Sequence, residues 1–143
     1  MDDVLAYLEL KNRYYSKFLT ITEKFLQCAR ANDWERIDLF VDSRERILNI
    51  IKAFDFKIAE AFGRQDLSSP ELEEYRPRVK QLMDQRTALV NRIVTIDLEL
   101  IQSIEEMKTE TIRDLKNTIA RGQQIQSFDN IIPIKRKVLK HSV

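Results

Sequence analysis

Between Pro77 and Gly122 the chain contains neither glycine nor proline, and no other feature limits its fold as much. Apolar residues recur there by threes and fours: Val79, Leu82, Leu89, Ile93, Ile96, Leu100, Ile104, Met107, Ile112, Leu115 and Ile119. Only Arg86 interrupts the row. That is the period of a helix with one apolar face, built largely from good helix formers. A helix over about 78–121 would be roughly 65 Å long at 1.5 Å per residue.

The rest of the chain supplies partners for it. Residues 2–30 carry Val4, Leu5, Leu8, Tyr15, Phe18, Leu19, Phe25 and Leu26 at helical spacing, with Asp2 and Asp3 where the helix dipole favours acids. The next segment, "NDWE", reads as a helix start, with Asn32 as N-cap and Glu35 three residues on. A second helix then presents Trp34, Ile37, Val41, Arg44, Leu48, Ile51, Asp55, Ile58 and Phe62 on a 3-4 repeat, the pattern of a bundle seam. Phe40, Ile47, Phe54 and Ala61 form a second row, and Gly63 suits the residue after the helix end. Of the seam, Trp34, Ile37, Val41 and Leu48 are expected in the core. Ser69 before Pro70 predicts a short helical turn over about 70–76 that stops near Pro77, since a residue before proline avoids helical backbone. The fold class is therefore all-α: an antiparallel bundle of three long helices with a short helical turn before the last. The bundle occupies residues 1–122, and residues 123–143 form an apolar and basic tail, read as mobile when free.

Composition narrows the function. The single cysteine, Cys28, rules out an internal disulfide framework and suits a reducing cytosol. The acidic "MDDVLAYLELK" start is unlike a signal peptide, and no segment approaches the ~20 apolar residues of a membrane span. His141 is the one histidine, and the chain offers no clustered His, Cys or carboxylates for a metal site. Two isolated glycines make no phosphate-binding loop. The reading is a protein that is not an enzyme, needs no cofactor and does not read nucleic acid. Net charge is +1. Its basic excess sits in the tail, where Lys135, Arg136 and Lys137 stand with Lys140 as a tether for acidic partners.

The helix lengths do not match. If the last helix runs back from the end of the second, it draws level with the first turn near Met107. Its final residues then overhang, yet still carry Ile112, Leu115 and Ile119 on one face. An apolar face without an internal partner calls for an external one, unless the first helix is displaced to cover it or the last helix bends. The expected docking surface is Leu100, Ile104, Met107, Ile112, Leu115 and Ile119. Ile125, Phe128, Ile131 and Ile132 of the tail are expected to cover it when no client is bound.

Two resemblances bear on this reading. "VNRIVTIDLELIQSI" resembles the first helix of all-helical chorismate mutases, but the positions where that family places its arginines are here Val90 and Met107. "DWERIDLFVDSRERILNII" resembles the flagellar type III export chaperones of the FliT type. In these a Trp opens a helix, followed by a pattern matched here by Leu39 or Phe40, Arg44, Ile47 and Leu48. "IDLELIQSIEEMKTETIRDLKNTIARGQQIQSF" is similar to that family's closing pattern through Ile93, Asp97, Ile101, Leu115, Gly122 and Phe128. The chain departs from it at Gln123, where a basic residue is common, and at Phe128, where Tyr is. The related FlgN type shares the helical plan. The FliT resemblance implies a cytoplasmic chaperone that binds a disordered segment of a late export subunit, foremost the filament-cap protein, and passes it to the export ATPase or gate. A homodimeric helical scaffold or regulator without an export role is the other reading of the same face.

Overall fold

The computed structural model describes residues 1–66 and 68–122. They form three helices, α1 (Asp2–Arg30), α2 (Ile37–Gly63) and α3 (Leu72–Ala120), of 29, 27 and 49 residues. At 1.5 Å per residue α1 and α2 are about 40 Å long and α3 about 73 Å.

Cross-helix contacts fix the directions. Along α1 and α2, Phe25 stacks on Phe40, Tyr14 meets Phe54, and Lys11 pairs with Asp55, so one number rises as the other falls. Along α1 and α3, Glu9 pairs with Arg78, Asn12 with the Leu82 carbonyl and Arg30 with Glu99, so both rise together. Thus α1 and α3 are parallel, and α2 runs against both. α1 lies in the middle: it packs along both neighbours, whereas α2 and α3 approach each other far less.

The core has three levels. Val4, Leu8, Ala61 and Leu82 pack at the end that holds the N-terminus. Phe18, Ile47, Ile51 and Ile93 fill the middle. Phe25, Leu26, Ile37, Phe40, Ile96 and Leu100 form the largest cluster, near the α1–α2 turn. Each large apolar side chain among them stabilises by about 1.5–3 kcal/mol. The buried polar groups of α1 are satisfied: the Asn12 amide donates to the Leu82 carbonyl (2.9 Å) and the Thr22 hydroxyl to the Phe18 carbonyl (2.8 Å).

Four local expectations are corrected. Asn32 does not cap α2. It has φ +57° and ends α1: its amide donates to the Ala29 carbonyl, and that of Asp33 to the Cys28 carbonyl. This is the paired closure of a helix by a left-handed residue, a place where Asn substitutes for Gly. α2 then begins at Ile37 without a side-chain cap. Gly63 is the last residue of α2 rather than the residue beyond it, whereas Gly122, with φ +56°, does terminate α3 in that way.

Pro77 does not divide a short turn from the long helix, because α3 is continuous from Leu72. The opening turn is tight, with Leu72 bonded back to Ser69 and Glu73 to Pro70. So near a helix start, proline removes one backbone bond and leaves the apolar anchoring of Leu72 and Val79 intact. Finally, Val41 and Leu48 are exposed and not core. α2 turns its second row, Phe40, Ile47 and Ala61, with Ile37 and Ile51, toward α1.

Candidate docking groove

Arg44, a polar member of the α2 seam, faces Asp97 on α3. An Arg44 guanidinium nitrogen donates to Asp97 Oδ1 at 2.7 Å, and the guanidinium lies 4.8 Å from the centre of the Phe18 ring of α1. The pair is largely buried, and Arg44 Nε is buried without a hydrogen-bond partner among the described residues. Leaving such a donor unsatisfied costs about 1–3 kcal/mol, which the ion pair and the ring contact offset.

Around this pair the apolar residues are arranged symmetrically. Val41 and Leu48 stand three before and four after Arg44, and Val94 and Ile101 three before and four after Asp97. That spacing keeps each set on its partner's helix face. Because α2 and α3 are antiparallel, Val41 lies toward Ile101 and Leu48 toward Val94. All four are exposed, from 41% for Leu48 to 56% for Ile101. This register makes Val41 and Leu48 on α2, and Val94 and Ile101 on α3, the flanks of a candidate groove over the Arg44–Asp97 pair. Leu98, 63% exposed, extends the α3 rim.

Beyond the groove α3 continues past its neighbours. A polar recess lined by Ala29, Asn32, Met107 and Glu110 marks where the α1–α2 turn meets it. About ten residues remain beyond Glu110, roughly 15 Å of helix.

The expected docking residues divide accordingly. Leu100 (2% exposed) and Met107 (6%) are buried, and Ile104 packs against the Phe25–Phe40–Leu100 cluster. In this conformation Leu100 and Met107 belong to the bundle's interior, and Ile104 is half-buried at its edge. Ile112 and Ile119 are exposed and Leu115 is half-buried. Ile125, Phe128, Ile131, Ile132, Lys135, Arg136 and Lys137 lie outside the described residues. The sequence did not mark Val94, Leu98 or Ile101 as docking candidates, and its periodicity placed Val41 and Leu48 in the core. The available signal was a second apolar row on α3, one residue out of step with the Ile93–Leu100 row.

Among the described residues no group of His, Cys, Asp and Glu could hold a metal ion, and no helix is long and apolar enough to cross a membrane. At the end of the bundle away from the overhang, Asp66 and Tyr75 are shifted from their ordinary acidities. Hydrogen bonds from the Ser68 hydroxyl and amide hold Asp66 below the usual carboxylate range. The hydrogen bond to Asp2, then that carboxylate's charge, raises the Tyr75 hydroxyl.

The three-helix bundle thus leaves exposed apolar residues on α2 and α3 beside a polar pair, with α3 overhanging its neighbours. The family model described as Flagellar protein FliT matches residues 12–111, a span that holds Arg44, Asp97 and the groove between them. The chain belongs to the FliT family, that of flagellar export chaperones. No curated protein and no solved structure matches it.

Proposed function

We propose that the protein is a cytoplasmic chaperone whose client is a late flagellar export subunit, foremost the filament-cap protein. The client inserts an amphipathic helix along the α2–α3 groove and onto the α3 overhang. The observation that carries this reading is the set of exposed apolar residues flanking the Arg44–Asp97 pair, Val41 and Leu48 on α2 and Val94 and Ile101 on α3. An apolar client stripe would complete a four-helix arrangement there. Ordering a disordered client on binding lowers net affinity, which suits a cargo that must be released to the export ATPase or gate. The tail then serves as a cover, through Ile125, Phe128, Ile131 and Ile132, and as a tether to an acidic export component, through Lys135, Arg136 and Lys137.

Calorimetric titration with the C-terminal segment of a filament-cap protein tests the reading. Val41→Asp and Leu115→Asp are expected to weaken capture at least tenfold with helicity unchanged, and truncation after Gln124 to strengthen it. Full capture by both aspartate variants would remove the groove as the client site, and unchanged capture by the truncated chain would remove the cover.

A further inference from the structure

Three turns from the Arg44–Asp97 pair the same seam carries two cations for one carboxylate. We infer that the surplus cation, Arg86, selects clients whose apolar stripe includes an acidic side chain. This selection rests on the proposed function insofar as a client helix lies along the α2–α3 groove. Arg86 interrupts the apolar row of α3 and is half-buried, yet it has no ion pair or hydrogen bond among the described residues. Its neighbours three and four residues away on α3, Leu82, Met83, Leu89 and Val90, are all apolar. No acid of its own helix stands within reach of it.

Spacing along the helices places Arg86 over the seam. It stands eleven residues before Asp97, and Asp55 stands eleven after Arg44. Eleven residues make about three helical turns, roughly 16 Å, so each returns to the helix face of its counterpart. Arg44 and Asp97 are paired across antiparallel helices. Asp55 and Arg86 are therefore level with each other on the same side of the seam. The contacts of α1 fit that level: Lys11 pairs with Asp55, and neighbouring Asn12 donates to the Leu82 carbonyl, one turn before Arg86. A helical side chain leans toward the N-terminus of its helix, which brings the Arg86 guanidinium back over that turn.

The charges at this level do not balance. Lys11, only 6% exposed, takes the Asp55 carboxylate, and its ammonium also lies 5.4 Å from the centre of the Tyr15 ring. Arg86 is left to water, which reaches it because the residue is only half-buried. A client helix laid over exposed Met83 and half-buried Val90 removes that water. A wholly apolar stripe then strands a cation, the costly half of a broken ion pair. A Glu or Asp in the stripe instead accepts from the guanidinium, in the two-pronged geometry that arginine offers a carboxylate. At the Arg44–Asp97 pair the charges already cancel, so a client meets no net charge there. The groove thus favours an acid at one level and an apolar side chain three turns away, and it discriminates against apolar helices that lack the acid.

Two synthetic amphipathic helical peptides, alike except for Glu or Gln at the middle of the apolar stripe, test the selection by calorimetric titration of the full chain. The Glu peptide is expected to bind about tenfold tighter, the gain that a hydrogen bond between charged groups supplies. Arg86→Leu is expected to abolish the preference and Arg86→Lys to keep most of it, both with unchanged far-ultraviolet circular dichroism. Arg86→Gln, which keeps a polar end on the side chain, is expected to behave as Arg86→Leu does. Equal binding of the two peptides would overturn the inference, as would binding of neither. So would a preference that survives both Arg86→Leu and Arg86→Gln. Capture of the filament-cap segment by a chain indifferent to Glu would sink the selection and leave the proposed function standing; a Glu preference lost with Arg86, in a chain that ignores that segment, would do the reverse.

Discussion

Leu100 and Ile101 are neighbours in sequence with opposite fates in the bundle, and truncating each to alanine should separate core from docking surface. Leu100 is 2% exposed and packs with Phe25, Phe40 and Ile96. Leucine to alanine removes three carbons, worth about 0.8 kcal/mol each when buried, or roughly 2.4 kcal/mol together. The cavity left among the aromatic rings raises the cost to about 3 kcal/mol. In a chain of this size that lowers Tm by roughly 6–12 °C. Ile101 is 56% exposed, and Ile101→Ala should cost about 0.5 kcal/mol or less, as surface changes do. The assay is urea and thermal unfolding followed by circular dichroism at dilute protein, because self-association would add a concentration-dependent term. Equal losses for the two variants would refute the division, and Leu100 would have no special place at the meeting of the three helices.

Three further changes follow from single contacts. Asn12→Ala should cost about 1–3 kcal/mol in unfolding free energy, since it strips a buried donor from the Leu82 carbonyl and loosens the α1–α3 register. Asn32→Ala should cost about 1 kcal/mol for holding a left-handed backbone that Asn tolerates, while Asn32→Gly should cost less in the same melt, losing only the exposed hydrogen bond that Asn32 Oδ1 accepts from the Trp34 indole. The folded pKa of Asp66 is depressed by Ser68, so its contribution is complete above the ordinary carboxylate value of 3.8 and is lost as pH falls through the lower folded value. In a carboxylate titration followed by NMR, Ser68→Ala should move Asp66 back up toward its ordinary value.

The resemblance drawn from the sequence named Arg44 and Asp97 as separate elements of two helical patterns. The structure brings them together as one ion pair across α2 and α3. Nothing in either pattern required them to meet, because a pattern along one helix fixes a face and not the neighbour that the face will find. The same limit explains Val41 and Leu48. Their 3-4 spacing with Ile37 and Ile51 shows that they share a side of α2. Two apolar rows compete for the space beside α1, and the row carrying Phe40 and Ile47 fills it, which leaves Val41 and Leu48 at the rim.

Periodicity and the absence of breakers settled by themselves that this chain makes three long helices and that the last outruns the others, because helix formation depends on local propensity and a repeating apolar face. Short-range signals were less decisive at the ends. Asn32 serves equally well as the start of one helix or the stop of another, and only the backbone around it chooses. What the tertiary structure alone decided is the side-by-side order, with α1 between α2 and α3. Packing two amphipathic rods against one central helix buries some apolar rows and strands others, and the stranded rows are the ones left for a partner.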